Sequence, residues 1–184
     1  MYFLIAALKD EVTELVVSEK NHLILSGVGK LKTIVTLSDL FYQQSQPMSC
    51  LINLGTVGSE RIPAGQLVEV TRSFQRDTTF FSEPISLPKL TQLPAVACGS
   101  ADRVWPCEAQ DPWDVVDMEL YALAFFCREK EIPLVSIKYV TDQNDVSVYK
   151  EWKKQLPMAS QMLSHFWNTQ KEAILEKILS NTRS

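Results

Sequence analysis

The chain has 184 residues, 46% of them hydrophobic, and its 18 basic and 22 acidic side chains give a net charge of −4. That length buries roughly 70% of the surface exposed by the unfolded chain, enough for one self-sufficient globular domain spanning residues 1–184 with no second domain. The basic residues are scattered rather than gathered on one face, which argues against nucleic acid as a partner, and no stretch approaches the ~20 apolar residues that cross a bilayer.

Met1 to Leu8 is apolar but has no basic leader and breaks into Lys9-Asp10-Glu11 too soon for a signal peptide. A soluble, cytoplasmic protein with no membrane partner is expected. Tyr2 to Ala7 reads as a first strand and His22 to Leu25 as a second. Ser26-Gly27-Val28-Gly29-Lys30 turns into a helix with Leu31, Ile34, Val35, Leu37, Leu40 and Phe41 at helical spacing, ending before Pro47. Cys50 to Leu54 is a buried strand running into Gly55-Thr56-Val57-Gly58-Ser59, a glycine-bearing loop at a sheet edge.

Gln66 to Thr71 and Ala95 to Cys98 read as further strands, separated by a loop that carries Pro84, Pro88 and Pro94. The run from Val116 to Ala124 is apolar and helical, with Glu119 opening a helix that continues to Lys130. Leu134 to Val140 is the next strand. Beyond Asp145 the pattern is helical with a break at Pro157, and Ile174, Leu175, Ile178 and Leu179 form a stripe that reads as core packing. Strands alternating with helices define an α/β domain. Cys50, Cys98, Cys107 and Cys127 form no CxxC pair and read as reduced core residues.

The informative residues are carboxylates at the ends of apolar runs. Asp142 follows the strand run Leu134 to Val140 and Thr141, which places it at the carboxyl edge of a sheet, where open α/β folds bind ligands. Each acid has a bland explanation: Glu119 by the dipole at a helix start, Asp142 by capping the helix that follows it, and Glu11 by a helical start of its own. Three acids at three strand ends converge in space, and that favours a site. Gly27-Val28-Gly29-Lys30 offers backbone N–H groups to an anion or simply turns the chain. It is not a Walker loop, because Leu31 stands where Ser or Thr would meet magnesium. His22 and His165 have no ligand neighbours at a useful spacing, so no metal and no cofactor are expected; no Gly-x-Ser-x-Gly elbow is present.

Taken in order, Ala6 to Val12, Ser26 to Lys30, Ile52 to Gly58, Gly65 to Val68, Val116 to Glu119 and Val140 to Asp142 resemble the segments of the nucleoside phosphorylase superfamily. The similarity is greatest to its methylthioadenosine/S-adenosylhomocysteine nucleosidase branch. The resemblance implies a single domain with a twisted mixed central sheet flanked by helices, a homodimer, and cleavage of the bond joining a purine to ribose in a small-molecule purine nucleoside. It assigns Asp142 to protonation of the departing base, Glu119 to the ribose hydroxyls, Met118 to the sugar face and Glu11 to activation of water. Thr56, Val57 and Gly58 match the loop beside that water or phosphate, and Leu8, Val28 and Asp117 fall in the same matched segments.

Cleavage leaves negative charge on the base and positive charge on the sugar, so a proton donor at one end and carboxylates at the other favour the transition state. The phosphorylase branch holds phosphate with arginines and a glycine-rich turn, whereas this chain has Leu8-Lys9-Asp10-Glu11 there, so a hydrolase is expected; Lys9 and Lys30 keep a phosphorylase as the alternative. The chain departs from the family by a shortening between about residues 81 and 117. Ala101 stands for a glycine, Val104 for the base-stacking aromatic, and Lys138 for a common arginine. Trp105 or Phe81 is the candidate replacement for the lost aromatic, and Arg76-Asp77 resembles a short signature near the sugar. The shortened middle also leaves open a nucleoside-binding protein without catalysis.

Overall fold

The computed structural model describes residues 1–15, 21–44, 47–78, 83–103, 110–142 and 148–181. Among these residues eight strands form one mixed sheet: β1 (Tyr2–Ala6), β2 (Asn21–Leu25), β3 (Cys50–Gly58), β4 (Leu67–Gln75), β5 (Ile85–Ser86), β6 (Ala95–Ser100), β7 (Val115–Asp117) and β8 (Leu134–Asp142). Three α-helices among the described residues cover it: α1 (Lys30–Gln43), α2 (Leu120–Glu129) and α3 (Val148–Asn181). The expected single α/β domain with a mixed central sheet is what forms.

The sheet also closes on itself, which the sequence reading did not anticipate. β3 pairs β8 in parallel, β8 pairs β4 antiparallel, β4 pairs β6 and β6 pairs β7 in parallel, and β7 returns to β3 through Gly58 and Val116. β1 and β2 extend the sheet beyond β3, both in parallel. Closure explains why all nine residues of β8 are buried, the polar ones included.

Alternation along the strands feeds two cores. Phe3, Ile5, Leu51 and Val57 face one way and pack with Leu120, Leu123 and Phe126 of α2 and Leu37 of α1. Leu4, Ala6, Ile52 and Leu54 face the other way, toward Leu163, Trp167 and Ile174 of α3. Gly99 lets the Trp113 ring lie against β6, since a Cβ there would meet the indole at 2.7 Å.

Several elements differ from expectation. Val115–Asp117 is a short strand rather than the start of a helical run; two β-branched residues joined to a long apolar stretch carry no period of their own. Ile85–Ser86 is a strand inside the proline-containing segment, paired with Arg72 and Ser73. α3 runs through Pro157 without the expected break. Pro157 and Lys153, whose carbonyl loses its partner to the proline, both lie on the exposed face, so that carbonyl need not be buried without a partner. Buried Leu156, Ala159 and Leu163 hold the helix on either side. In the carboxyl-terminal stripe Ile174 and Ile178 are buried, Leu175 is partly buried, and Leu179 is exposed.

Candidate active site

A cavity of about 510 Å³ opens where β1, β3, β7 and β8 end, a volume suited to a small organic ligand. It brings together Glu11, Asp142, Glu119, Met118, Asp117, Thr56, Val57, Gly58, Leu8 and Val28. Arg76 also lines it, with its guanidinium 5.8 Å from the Trp113 ring centre. Asp77 does not: its carboxylate pairs with Lys30 and accepts the Asp102 N–H at 3.1 Å. Burial pushes the Asp77 carboxyl upward, but the Lys30 ammonium and the Asp102 N–H outweigh it and hold the group below its ordinary value. Phe81 and Trp105 lie outside the described residues, as does Val104.

Glu11 ends a single 3₁₀ turn, Lys9–Glu11, that follows β1. Its Oε2 accepts the N–H groups of Ala7 and Leu8 at 3.1 and 3.0 Å. Its Oε1 accepts the Thr56 N–H at 2.9 Å and the Thr56 hydroxyl at 2.7 Å. Four donors fill the four acceptor positions of a carboxylate. The residue is 4% exposed, so its carboxyl group is buried in a nest of backbone amides.

Glu119 precedes α2, and no cap hydrogen bond comes from its side chain. Instead its Oε1 accepts the Gly29 N–H at 2.8 Å, across 90 residues. Gly29 has φ +93, a conformation that favours glycine, and a side chain there would also approach Asp102. Among the described residues Glu119 Oε2 has no hydrogen-bond donor. Burial, reinforced by the neighbouring Asp117 charge, pushes the Glu119 carboxyl up to about 8 against the opposing pull of Lys138.

Asp117, rather than Glu119, accepts from the first N–H of α2. Its two oxygens lie 3.2 and 3.1 Å from the Leu120 N–H, one accepts the Ser100 hydroxyl at 2.6 Å, and the other meets Lys138 Nζ at 2.9 Å. Lys138 and Asp117 are each only 2% exposed at the side chain. Burial opposes the charge on Lys138, but Asp117 and the other acids outweigh it and raise its pKa. Lys138 thus remains a cation beneath three carboxylates, Asp117, Glu119 and Glu11.

Asp142, 4% exposed, ends β8. Its Oδ2 lies 2.6 Å from the Thr141 hydroxyl oxygen, which is also 3.2 Å from the Val57 carbonyl. The Thr141 hydroxyl donates to the Asp142 carboxyl and toward the Val57 carbonyl, which ties Asp142 to the edge of β3.

Sequence reasoning missed the part of the wall supplied by α3. Tyr149, Trp152 and Lys153 line the cavity. Tyr149 and Trp152 stack with ring centres 5.9 Å apart and planes at 29°. The Trp152 indole N–H donates to Thr56 Oγ1 at 3.0 Å. The signal was the i, i+3, i+4 spacing of these residues just after Asp142, which puts them on one helix face. Asp10, Arg103 and Thr141 also line the cavity without having been singled out.

Residues 100–166 match the family model described as "Phosphorylase superfamily". No curated protein sequence matches the chain significantly. The fold is similar to that of 5′-methylthioadenosine/S-adenosyl homocysteine nucleosidase from Helicobacter pylori, at 13% identity and a TM-score of 0.79, covering 93% of this chain and 97% of that one. It is also similar to Helicobacter pylori futalosine hydrolase, at 12% identity, a TM-score of 0.80 and coverage of 96% and 98%. A third similar structure is the Chlamydia trachomatis nucleosidase bound to MTA, at 18% identity, a TM-score of 0.74 and coverage of 98% and 99%. The chain therefore has the nucleoside phosphorylase-like fold. The match over residues 100–166 agrees with the resemblance to that superfamily read from the sequence.

No helix among the described residues is long and apolar enough to cross a membrane. Among them no group of three or more His, Cys, Asp or Glu could hold a metal ion.

Proposed function

We propose that the protein is a nucleosidase that cleaves the N-glycosidic bond of a purine nucleoside by attack of water. The observation that carries this reading is the convergence of Glu11, Glu119 and Asp142, from three separate strand ends, on one cavity. The known activities of proteins with this fold, hydrolysis of methylthioadenosine and of futalosine among them, support the same class of reaction.

Asp142 is the general acid. Its place at the end of β8, 4% exposed and lining the cavity, supports this role. The proton passes to the purine as the bond to the sugar lengthens, so the base leaves neutral. Such proton transfer is worth ~100 to 10,000-fold. Glu119, with Oε2 turned to no other described group, accepts the ribose hydroxyls. Cationic character on the sugar then favours the ionised form of a carboxyl that burial otherwise holds protonated, so the interaction strengthens in the transition state. Met118 packs on the sugar. Lys138 and Asp117 set the electrostatic surroundings of Glu119.

Water is preferred over phosphate because the anion position is already occupied. The Ala7, Leu8 and Thr56 N–H groups are all given to Glu11, and the first N–H of α1, that of Lys30, is given to Asp102 at 2.7 Å. Lys30 itself is paired with Asp77. A phosphate dianion would meet carboxylates where it needs donors.

The proposal extends to a cytoplasmic homodimer. Its cellular setting is supported by the buried free thiols of Cys50, Cys98 and Cys127, each pushed upward by burial. Dimerisation is supported by Leu31 and Val35, exposed on α1 beside exposed Leu25 and Val28. Sedimentation at micromolar protein should give twice the chain mass.

A panel of purine nucleosides, headed by 5′-methylthioadenosine, tests the activity. Free base should appear with the wild type, and Asp142→Asn should slow its release by ~100-fold or more. Ligand-induced thermal stabilisation with no base from any nucleoside would replace this reading with that of a binding protein.

A further inference from the structure

Glu11 is the carboxylate nearest in role to the attacking water, yet its four acceptor positions are filled from within the chain: Ala7 and Leu8 N–H on Oε2, Thr56 N–H and hydroxyl on Oε1. A water molecule has no open position on it. Three of the four donors are backbone amides, which cannot pass on a proton. The fourth, the Thr56 hydroxyl, can.

The geometry points to a proton relay in which Thr56 carries the proton of the attacking water to Glu11, with Trp152 as the positioning residue that fixes the direction of transfer. This rests on the hydrolase reading above. Thr56 Oγ1 receives the Trp152 indole N–H at 3.0 Å and lies 2.7 Å from Glu11 Oε1. An indole N–H donates and never accepts. The one proton of Thr56 is therefore directed at Glu11, and one lone pair of Oγ1 is left over. Thr56 lines the cavity, so that lone pair is where a water in it can donate.

The step balances. As the bond between sugar and base breaks, the water oxygen forms a bond to the anomeric carbon and its O–H bond to the departing proton breaks. That proton goes to Thr56 Oγ1, the Thr56 proton goes to Glu11 Oε1, and the proton of Asp142 leaves on the base. Serine would serve the relay as well as threonine; valine would fill the same space without it.

The placement also couples chemistry to recognition. The Trp152 ring stacks on Tyr149, and these two rings are the aromatic part of the cavity wall among the described residues. The aromatic that the family segment places at Val104 is absent from this sequence. A substrate that presses on the stacked pair therefore steadies the side chain that orients Thr56.

Base release by Thr56→Val, Thr56→Ser and Trp152→Phe, beside wild type, tests the relay. Thr56→Val should lower kcat by ~100-fold with KM within about threefold, the size expected for lost proton transfer. Thr56→Ser should stay within about fivefold of wild type. Trp152→Phe, which keeps the ring and loses the N–H, should lower kcat by about tenfold, and by no more than about twofold in a Thr56→Val background. A substrate-free readout is the indole N–H resonance of Trp152, identified by its loss in Trp152→Phe. It should move upfield and exchange faster with solvent in Thr56→Val. Wild-type turnover with Thr56→Val as active as Thr56→Ser overturns the relay alone, as does an indole resonance that ignores Thr56→Val. A wild type that releases no base overturns the hydrolase reading, and the relay with it.

Discussion

Glu69 and Glu119 are both buried glutamates, and they behave in opposite ways. Glu69, on β4, is fully buried, and its oxygens accept the Leu90 N–H at 2.7 Å, the Thr91 N–H at 3.0 Å, the Thr91 hydroxyl at 2.8 Å and Lys89 Nζ at 2.7 Å. Burial alone would raise its pKa, but these partners outweigh burial and lower it. Glu119 has one described donor and a neighbouring acid in Asp117, and it is pushed up to about 8. Burial is common to both; the number of acceptor positions left open is not. Glu69 fastens the segment from Lys89 to Leu93 to the barrel, whereas Glu119 holds an acceptor ready for a ligand.

The largest effect should come from breaking the satisfied member. Glu69→Ala orphans the buried donors of Leu90 and Thr91, and should cost about 3 to 5 kcal/mol of unfolding free energy, read from urea melts. Base release per folded molecule should be unchanged. Glu119→Gln should do the reverse, lowering kcat/KM by roughly 100-fold, about 3 kcal/mol of transition-state stabilisation, while the folded state stays intact.

The same contrast sets opposite pH dependences. With a folded value of about 8 against an ordinary 4.5, Glu119 takes up a proton on folding between those limits. Its contribution to stability is full below about 4.5 and is lost as pH rises toward about 8. Glu69, whose pKa is lowered, contributes above the ordinary carboxylate range and loses that contribution as pH falls through its folded value. Thermal melts of Glu119→Gln between pH 5 and 9 should therefore show a flatter alkaline decline than wild type. The smallest effect belongs to Asp77→Asn, which loosens the Lys30 and Asp102 contacts and should cost no more than about 1 kcal/mol.

Much of the candidate site was legible in the sequence, because it rests on where apolar runs stop. Asp142 after Leu134 to Val140 and Glu119 before Leu120 to Ala124 are local patterns, and both side chains line the cavity. Glu11 was legible only through the ordered set of segments, since nothing near it announces four donors, one pair of them from Thr56. Glu69 was missed, lying inside a strand whose alternation hides one acid facing inward. Closure of the sheet depends on the single pairing of Gly58 with Val116, which no period encodes. The α3 wall was not legible, because a helical pattern beyond Asp145 does not say which face of the helix meets the strand ends.

In the proposed reaction, carboxylates at these strand ends direct water, not phosphate, onto a sugar. This is tested most directly by cleaving a purine nucleoside in ¹⁸O-labelled water, with and without phosphate, and analysing the sugar product by mass spectrometry. The account predicts a free sugar carrying one ¹⁸O at the anomeric position, at a rate that phosphate does not raise. A sugar phosphate without the label, formed only when phosphate is present, would contradict it.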